Sequence, residues 1–120
     1  RKARTTVSML GEFKLAADPD FGGTNLVPED FSLQQNYPNP FNPTTIIEYA
    51  LPVDDFVELV IFNALGQAVK TLQQGRQLAG SYQVSWDGTD SRGHQVASGM
   101  FFYRIKAGTF VKTKKMILLR

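Results

Sequence analysis

The sequence predicts an all-β chain folded as an antiparallel sandwich of about seven strands. Three observations carry that prediction. From Phe31 onward, apolar and polar residues alternate in runs of five to nine, the period of half-buried strands. Gly, Asn and Asp turns separate the runs at short, regular intervals. No segment of three turns shows helical periodicity. Strands with one apolar face need a second sheet to cover them, so two sheets of three or four strands are expected.

Each element follows from its residues. Thr5–Ala16 shows a broken alternation (Val7, Met9, then Phe13 and Leu15 around Gly11) and reads as a hairpin remnant or the end of a preceding domain, residues 1–16. Residues 17–30 hold Pro19, Gly22, Gly23, Pro28 and four acidic residues, and read as a linker. Thr44–Leu51 is the first clear strand, with Ile47, Tyr49 and Leu51 on one face and Glu48 on the other. Phe56–Asn63 follows, with Val57, Leu59 and Ile61 facing inward. Ala64-Leu65-Gly66-Gln67 turns into a strand over Ala68–Leu72, and Gln73–Gly80 is expected to be a loop. Ser81–Trp86 places Tyr82, Val84 and Trp86 together. After the turn-rich Asp87–Gln95, Gly99 precedes a strand over Met100–Lys106, and Ala107-Gly108-Thr109 closes a hairpin onto Phe110–Leu119. Trp86 and the aromatics of Met100–Tyr103 supply much of the core volume.

Composition narrows the function classes. The chain has 120 residues and 42% hydrophobic residues, enough for one buried core and too many for a disordered protein. There is no cysteine, which removes disulfides, thiolate metal sites and cysteine nucleophiles together. The longest apolar run is far too short for a membrane span. Arg1-Lys2-Ala3-Arg4 leads into no apolar stretch, so no secretory signal is expected at this N-terminus. The sequence pI near 9.0 invites a nucleic-acid partner, but position argues otherwise. Seven of the 13 basic residues lie in 1–4 and 112–120, while residues 5–111 carry a balance of −5. A nucleic-acid binder places a basic stripe across its folded face; none is expected here.

Tyr37-Pro38-Asn39-Pro40-Phe41-Asn42-Pro43 is the most unusual stretch. Its prolines fix φ and remove backbone donors, so it cannot pair continuously in a sheet. It reads as a stiff corner, with Asn39 and Asn42 in Asx-turns and Tyr37 and Phe41 as lids over one end of the sandwich. A peptide-docking role for Pro40–Pro43 is the weaker alternative. Asp87 and Asp90 are weak calcium candidates within Asp87-Gly88-Thr89-Asp90-Ser91-Arg92-Gly93. Calcium needs six to eight oxygens, and two serial turns with Gly88 and Gly93 at positive φ explain the spacing better. His94 is the lone histidine, in a loop without an evident partner, and Asp54-Asp55 reads as a turn flank rather than a carboxylate pair. No active site, cofactor site or phosphate loop is expected. The last run, Lys112-Thr113-Lys114-Lys115-Met116-Ile117-Leu118-Leu119-Arg120, is basic, then apolar, then basic. Its inward parity is ambiguous, which fits a strand covered on both faces or one whose end a partner recognises.

Taken in order, Tyr37–Thr45 (YPNPFNPTT), Glu58–Gly66 (ELVIFNALG), Gly80 with Val84–Gly88 (VSWDG), Gly99–Tyr103 (GMFFY) and the closing KKMILLR resemble a known family. They resemble the C-terminal sorting domain carried by cargo of the type IX secretion system, and are similar to the immunoglobulin-like domain of flagellar hook-capping proteins. The resemblance covers about 90 residues, Phe31 to Arg120. It implies a seven-stranded immunoglobulin-like sandwich over 31–120, non-catalytic, at the end of a larger secreted protein. It implies recognition by an outer-membrane translocon, with removal by a surface sorting protease and attachment to lipopolysaccharide at the cell surface. The sorting determinants carried over by position are Gly99 and Lys114, Lys115, Met116, Ile117, Leu118, Leu119 and Arg120. Tyr37–Pro43 marks the domain start, and cleavage falls within 17–30. Two other readings stand beside it. One is a structural or adhesive module; the other is a carbohydrate-binding module using Phe56, Phe62 and Phe102, which needs those rings to share an exposed face.

Overall fold

The computed structural model describes residues 27–120. The expectations for residues 1–16, and for the linker up to residue 26, lie outside the described residues. Seven strands form two antiparallel sheets: β1 (Ser32–Leu33), β2 (Thr45–Leu51), β3 (Asp55–Asn63), β4 (Ala68–Gln77), β5 (Gly80–Trp86), β6 (Gly99–Ala107) and β7 (Phe110–Leu118). One sheet has the order β1-β2-β5 and the other β4-β3-β6-β7. The chain therefore crosses between sheets at β2–β3, β4–β5 and β5–β6.

Alternation in the sequence becomes alternation in space. Ile47, Tyr49 and Leu51 of β2 meet Val57, Leu59 and Ile61 of β3 in one core with Trp86, Phe101, Tyr103, Ile105, Met116 and Leu118. The rings of Trp86 and Phe101 meet edge to face at 5.3 Å, and Phe41 tilts against Trp86 at 5.7 Å. Such aromatic contacts add about 1 kcal/mol each beyond the area they bury.

Two corrections concern strand extent and facing. Gln73–Gly80 is not a loop, because β4 runs to Gln77 and pairs with β3 as far as Asp55↔Gln77. Its Gln-rich sequence hides the strand, since β4 is a sheet edge whose polar side chains remain hydrated while its backbone completes the β3 ladder. The parity of the last run is resolved: Met116 and Leu118 are buried, whereas Ile117 and Leu119 are partly exposed. Four consecutive apolar residues thus conceal an ordinary alternation.

Candidate functional site

The C-terminal strand is built into the sandwich by residues some 75 positions earlier. Phe41 forms a parallel bridge to Leu118. Its N–H donates to the Ile117 carbonyl at 2.9 Å, and its carbonyl accepts the Leu119 N–H at 2.9 Å. The Ile117 N–H donates to Asn39 Oδ1 at 3.0 Å. Gln35 Nε2 donates to the Lys115 carbonyl at 2.7 Å. The proline-rich corner is thus a cover for the outer edge of β7. Prolines suit it because only selected backbone groups, such as those of Phe41, have to pair.

This geometry corrects two expectations. Asn39 does not close an Asx-turn; its carboxamide oxygen reaches across to β7. Tyr37 is not a lid: it is 77% exposed, while Phe41 is 2% exposed and fills the end of the core alone. Tyr37 instead contributes backbone, exchanging both hydrogen bonds with Ile46 at 2.9 Å.

Arg120 locks the end of the strand. Its N–H donates to Ser98 Oγ, its Nε to the Val96 carbonyl and its Nη2 to the Gly88 carbonyl, at 2.7–2.8 Å. Gly88 has φ of +76°, and a Cβ there falls 2.7 Å from Arg120 Nη2 and 3.3 Å from the Pro43 carbonyl. A side chain at this position meets both strain and collision. Gly99 opens β6 directly opposite Leu118. Residues from the proline-rich corner, the VSWDG turn, the GMFFY strand and the closing run therefore converge on one end of the sandwich. Of the sequence-predicted sorting residues, Met116, Leu118 and Arg120 are structural anchors. Lys115 and Leu119 are exposed, Ile117 borders on it and Lys114 is half-buried.

Beneath the corner lies a polar knot that the sequence reading missed. The Asn36 N–H donates to Tyr103 Oη at 2.7 Å, and the Tyr103 hydroxyl donates to the Gln34 carbonyl at 2.7 Å. Asn36 Nδ2 donates to Thr45 Oγ1 and to the Pro38 carbonyl, which also accepts from Thr45 Oγ1. Asn36 and Thr45 are the buried polar side chains of the described residues. The available signal was Thr45 at an inward-facing position of β2, where a hydroxyl needs a partner.

Burial pushes the hydroxyls of Tyr49 and Tyr103 up to about 12. Unfolded tyrosines ionise near pH 10, so between about 10 and 12 the unfolded chain binds fewer protons than the folded one. Stability is expected to fall across that window, by roughly 2 kcal/mol per tyrosine. Urea midpoints measured on either side of it check this, and Tyr103→Phe should remove part of the slope.

Asp87 Oδ1 accepts from the Thr89 N–H and hydroxyl, and Asp90 Oδ1 from the Arg92 and His94 N–H groups. These bonds hold both carboxyls below the usual range, Asp87 chiefly through Thr89 and Asp90 chiefly through the His94 backbone. Gly88 and Gly93 take positive φ, so the segment is two turns in series. Among the described residues, no three His, Asp or Glu side chains gather as a metal site. Asp54 accepts the Ala79 N–H and Asp55 the Phe56 N–H, so neither pairs with the other. Phe56, Phe62 and Phe102 do share the outer face of the larger sheet, but they form no row. Phe62 and Phe102 are cross-strand neighbours, Phe56 lies six residues away along β3, and the Arg104 guanidinium covers the Phe62 ring at 4.7 Å. No helix among the described residues is long and apolar enough to cross a membrane.

Two facing antiparallel sheets of three and four strands, closed at one end by aromatic packing and a polar knot, define an immunoglobulin-like β-sandwich. Residues 44–112 match the FlgD Ig-like domain family, and the chain belongs to that family. Among solved structures it is similar to dimeric latent PorU from Porphyromonas gingivalis, with 20% identity and a TM-score of 0.59 over 71% of this chain and 9% of PorU. It also overlaps FlgD from Xanthomonas campestris, with 28% identity and a TM-score of 0.49 over 62% of this chain and 55% of that one. The third is PorZ from Porphyromonas gingivalis, a surface component of the type IX secretion system, with 18% identity and a TM-score of 0.47 over 77% and 12%. The chain thus spans about a tenth of PorU and little more than half of that FlgD. No curated protein matches it.

Proposed function

We propose that residues 31–120 form a sorting domain that directs a larger cargo protein through the type IX secretion system to the cell surface. The observation that carries this is the hydrogen-bonded clamp of Asn39 and Phe41 on Ile117 and Leu119. A terminal signal has to be held in one register and still be legible from outside. The clamp supports the first requirement, and the outward positions of Lys115, Ile117 and Leu119 support the second. The clamped parts, 37–43 and 114–120, lie just outside the family-matched residues 44–112, as expected of features added to a shared sandwich. On this reading the domain performs no catalysis. Its partners are an outer-membrane translocon and a surface protease, with lipopolysaccharide as the final attachment, and cleavage falls within 17–30.

Fusing the 120-residue chain to a periplasmic reporter, in a host with this export system, is expected to place the reporter outside the cell. Deleting Lys112–Arg120 should abolish export. Because the deletion also removes Met116 and Leu118 from the core, Lys115→Glu with Leu119→Glu is the surface-only companion and should reduce export severalfold. Continued export in both variants overturns the sorting role. The family match itself supports a second reading, a structural module like that of a hook cap. That reading predicts a dispensable tail and self-association.

A further inference from the structure

Among the described residues, the outer edge of β7 is covered along half its length. Lys115, Ile117 and Leu119 point their backbone groups at Gln35, Asn39 and Phe41. The β6–β7 ladder has no register shift, so the period of two places the N–H and C=O groups of Val111 and Thr113 on the same edge. Among the described residues, neither has a partner there. The open stretch, Phe110–Lys114, is about 17 Å long. Val111 is 55% exposed beside it.

Charge says what kind of strand fits. Lys112, Lys114 and Lys115 have Ile105, Tyr103 and Phe102 as cross-strand neighbours, so none faces an acid across the ladder. A second copy of β7 would set lysine against lysine and is disfavoured. The other edges are less suited. β4 is bulged against β3 at two places and lends its Val69 carbonyl to Ser91, while β5 presents the uncharged Ser81, Gln83 and Ser85.

We infer that the open half of the β7 edge takes an extended segment of a partner protein as an added antiparallel strand. That segment carries acidic residues at alternate positions, opposite Lys112 and Lys114, with apolar β-branched residues between them against Val111. The inference deepens the sorting role proposed above and rests on it for the identity of the partner; the edge itself is testable without it.

The probe is a nine-residue synthetic peptide alternating Glu and Val, added to the 120-residue chain, with amide exchange followed by NMR. The amides of Val111 and Thr113 are expected to slow at least tenfold, and a peptide with Lys in place of Glu should have no effect. Val111→Pro removes one edge donor that points away from the ladder, so it should weaken binding about tenfold while leaving the thermal midpoint nearly unchanged. Should that variant unfold, Lys112→Glu with Lys114→Glu decides, since it should exchange preference from the acidic to the basic peptide. Protection on β4 or β5, binding without amide protection, or dimerisation through β7 by sedimentation overturns the inference. The two proposals fail separately. Normal export of folded Val111→Pro, with loss of export on tail deletion, removes the edge and keeps the sorting role; peptide binding with export that survives tail loss does the reverse.

Discussion

Phe41→Ala is expected to lower the unfolding free energy by about 3–5 kcal/mol, the usual cost of truncating a buried aromatic. The ring is almost fully buried and is the only part of the proline-rich corner in the core, packed on Trp86, which in turn meets Phe101. Truncation leaves a void at the end where Leu118 also packs, and nearby prolines restrict collapse of the backbone into it. Phe41→Leu should cost less, about 1–2 kcal/mol, because it retains part of the volume. Tyr37→Ala, four residues earlier and mostly exposed, should change stability by less than about 0.5 kcal/mol. Urea denaturation of the three variants measures the contrast. Equal costs at positions 37 and 41 would remove Phe41 as the plug. Because Phe41 holds the Leu119 N–H, its truncation should also speed amide exchange at Leu119.

The second large effect belongs to Tyr103→Phe, with an expected loss of about 2–3 kcal/mol. The substitution keeps the ring and the packing but deletes one hydroxyl that serves two backbone groups, the buried Asn36 N–H and the part-buried Gln34 carbonyl. Leaving a buried group unpaired costs about 1–3 kcal/mol, far more than a hydrogen bond contributes net. The damage should be local to the corner. Exchange should quicken at Asn36 and Ile117 before the Leu59–Ile105 region of the core responds. A loss below about 0.5 kcal/mol would mean that water replaces the hydroxyl.

Both effects bear on the proposed function, since each variant loosens the terminal strand without touching its exposed residues. If export depends on a clamped tail, Phe41→Ala and Tyr103→Phe should reduce it in proportion to the protection lost at Leu119.

Much of the fold was legible from period alone. In β2, β3 and β5 the inward residues predicted by alternation are the inward residues found, because one face of each strand meets the other sheet and the other meets water. Legibility ended where strands lie at an edge or where polar groups are buried. From its residues β4 ends at Leu72, because Gln73, Gln74 and Gln77 carry no apolar signal, yet its backbone completes the β3 ladder as far as Gln77. Asn39 reads as a local turn former, since a sequence shows only near neighbours, and its partner Ile117 lies 78 residues away. Asn36 carries no signal in the pattern, and Tyr103 reads only as core volume. They are joined through a hydroxyl that no pattern marks.

By itself, then, the sequence determined the sandwich, its strand faces and the set of motifs worth connecting. Side-chain alternation is a local property, dictated by the extended backbone and by water. Only the tertiary structure decided that the proline-rich corner and the last strand are one object, that Arg120 is an anchor, and that half of the β7 edge has no partner among the described residues. Those facts depend on which distant backbone groups meet, and hydrogen bonds between residues far apart in the chain leave no period to read.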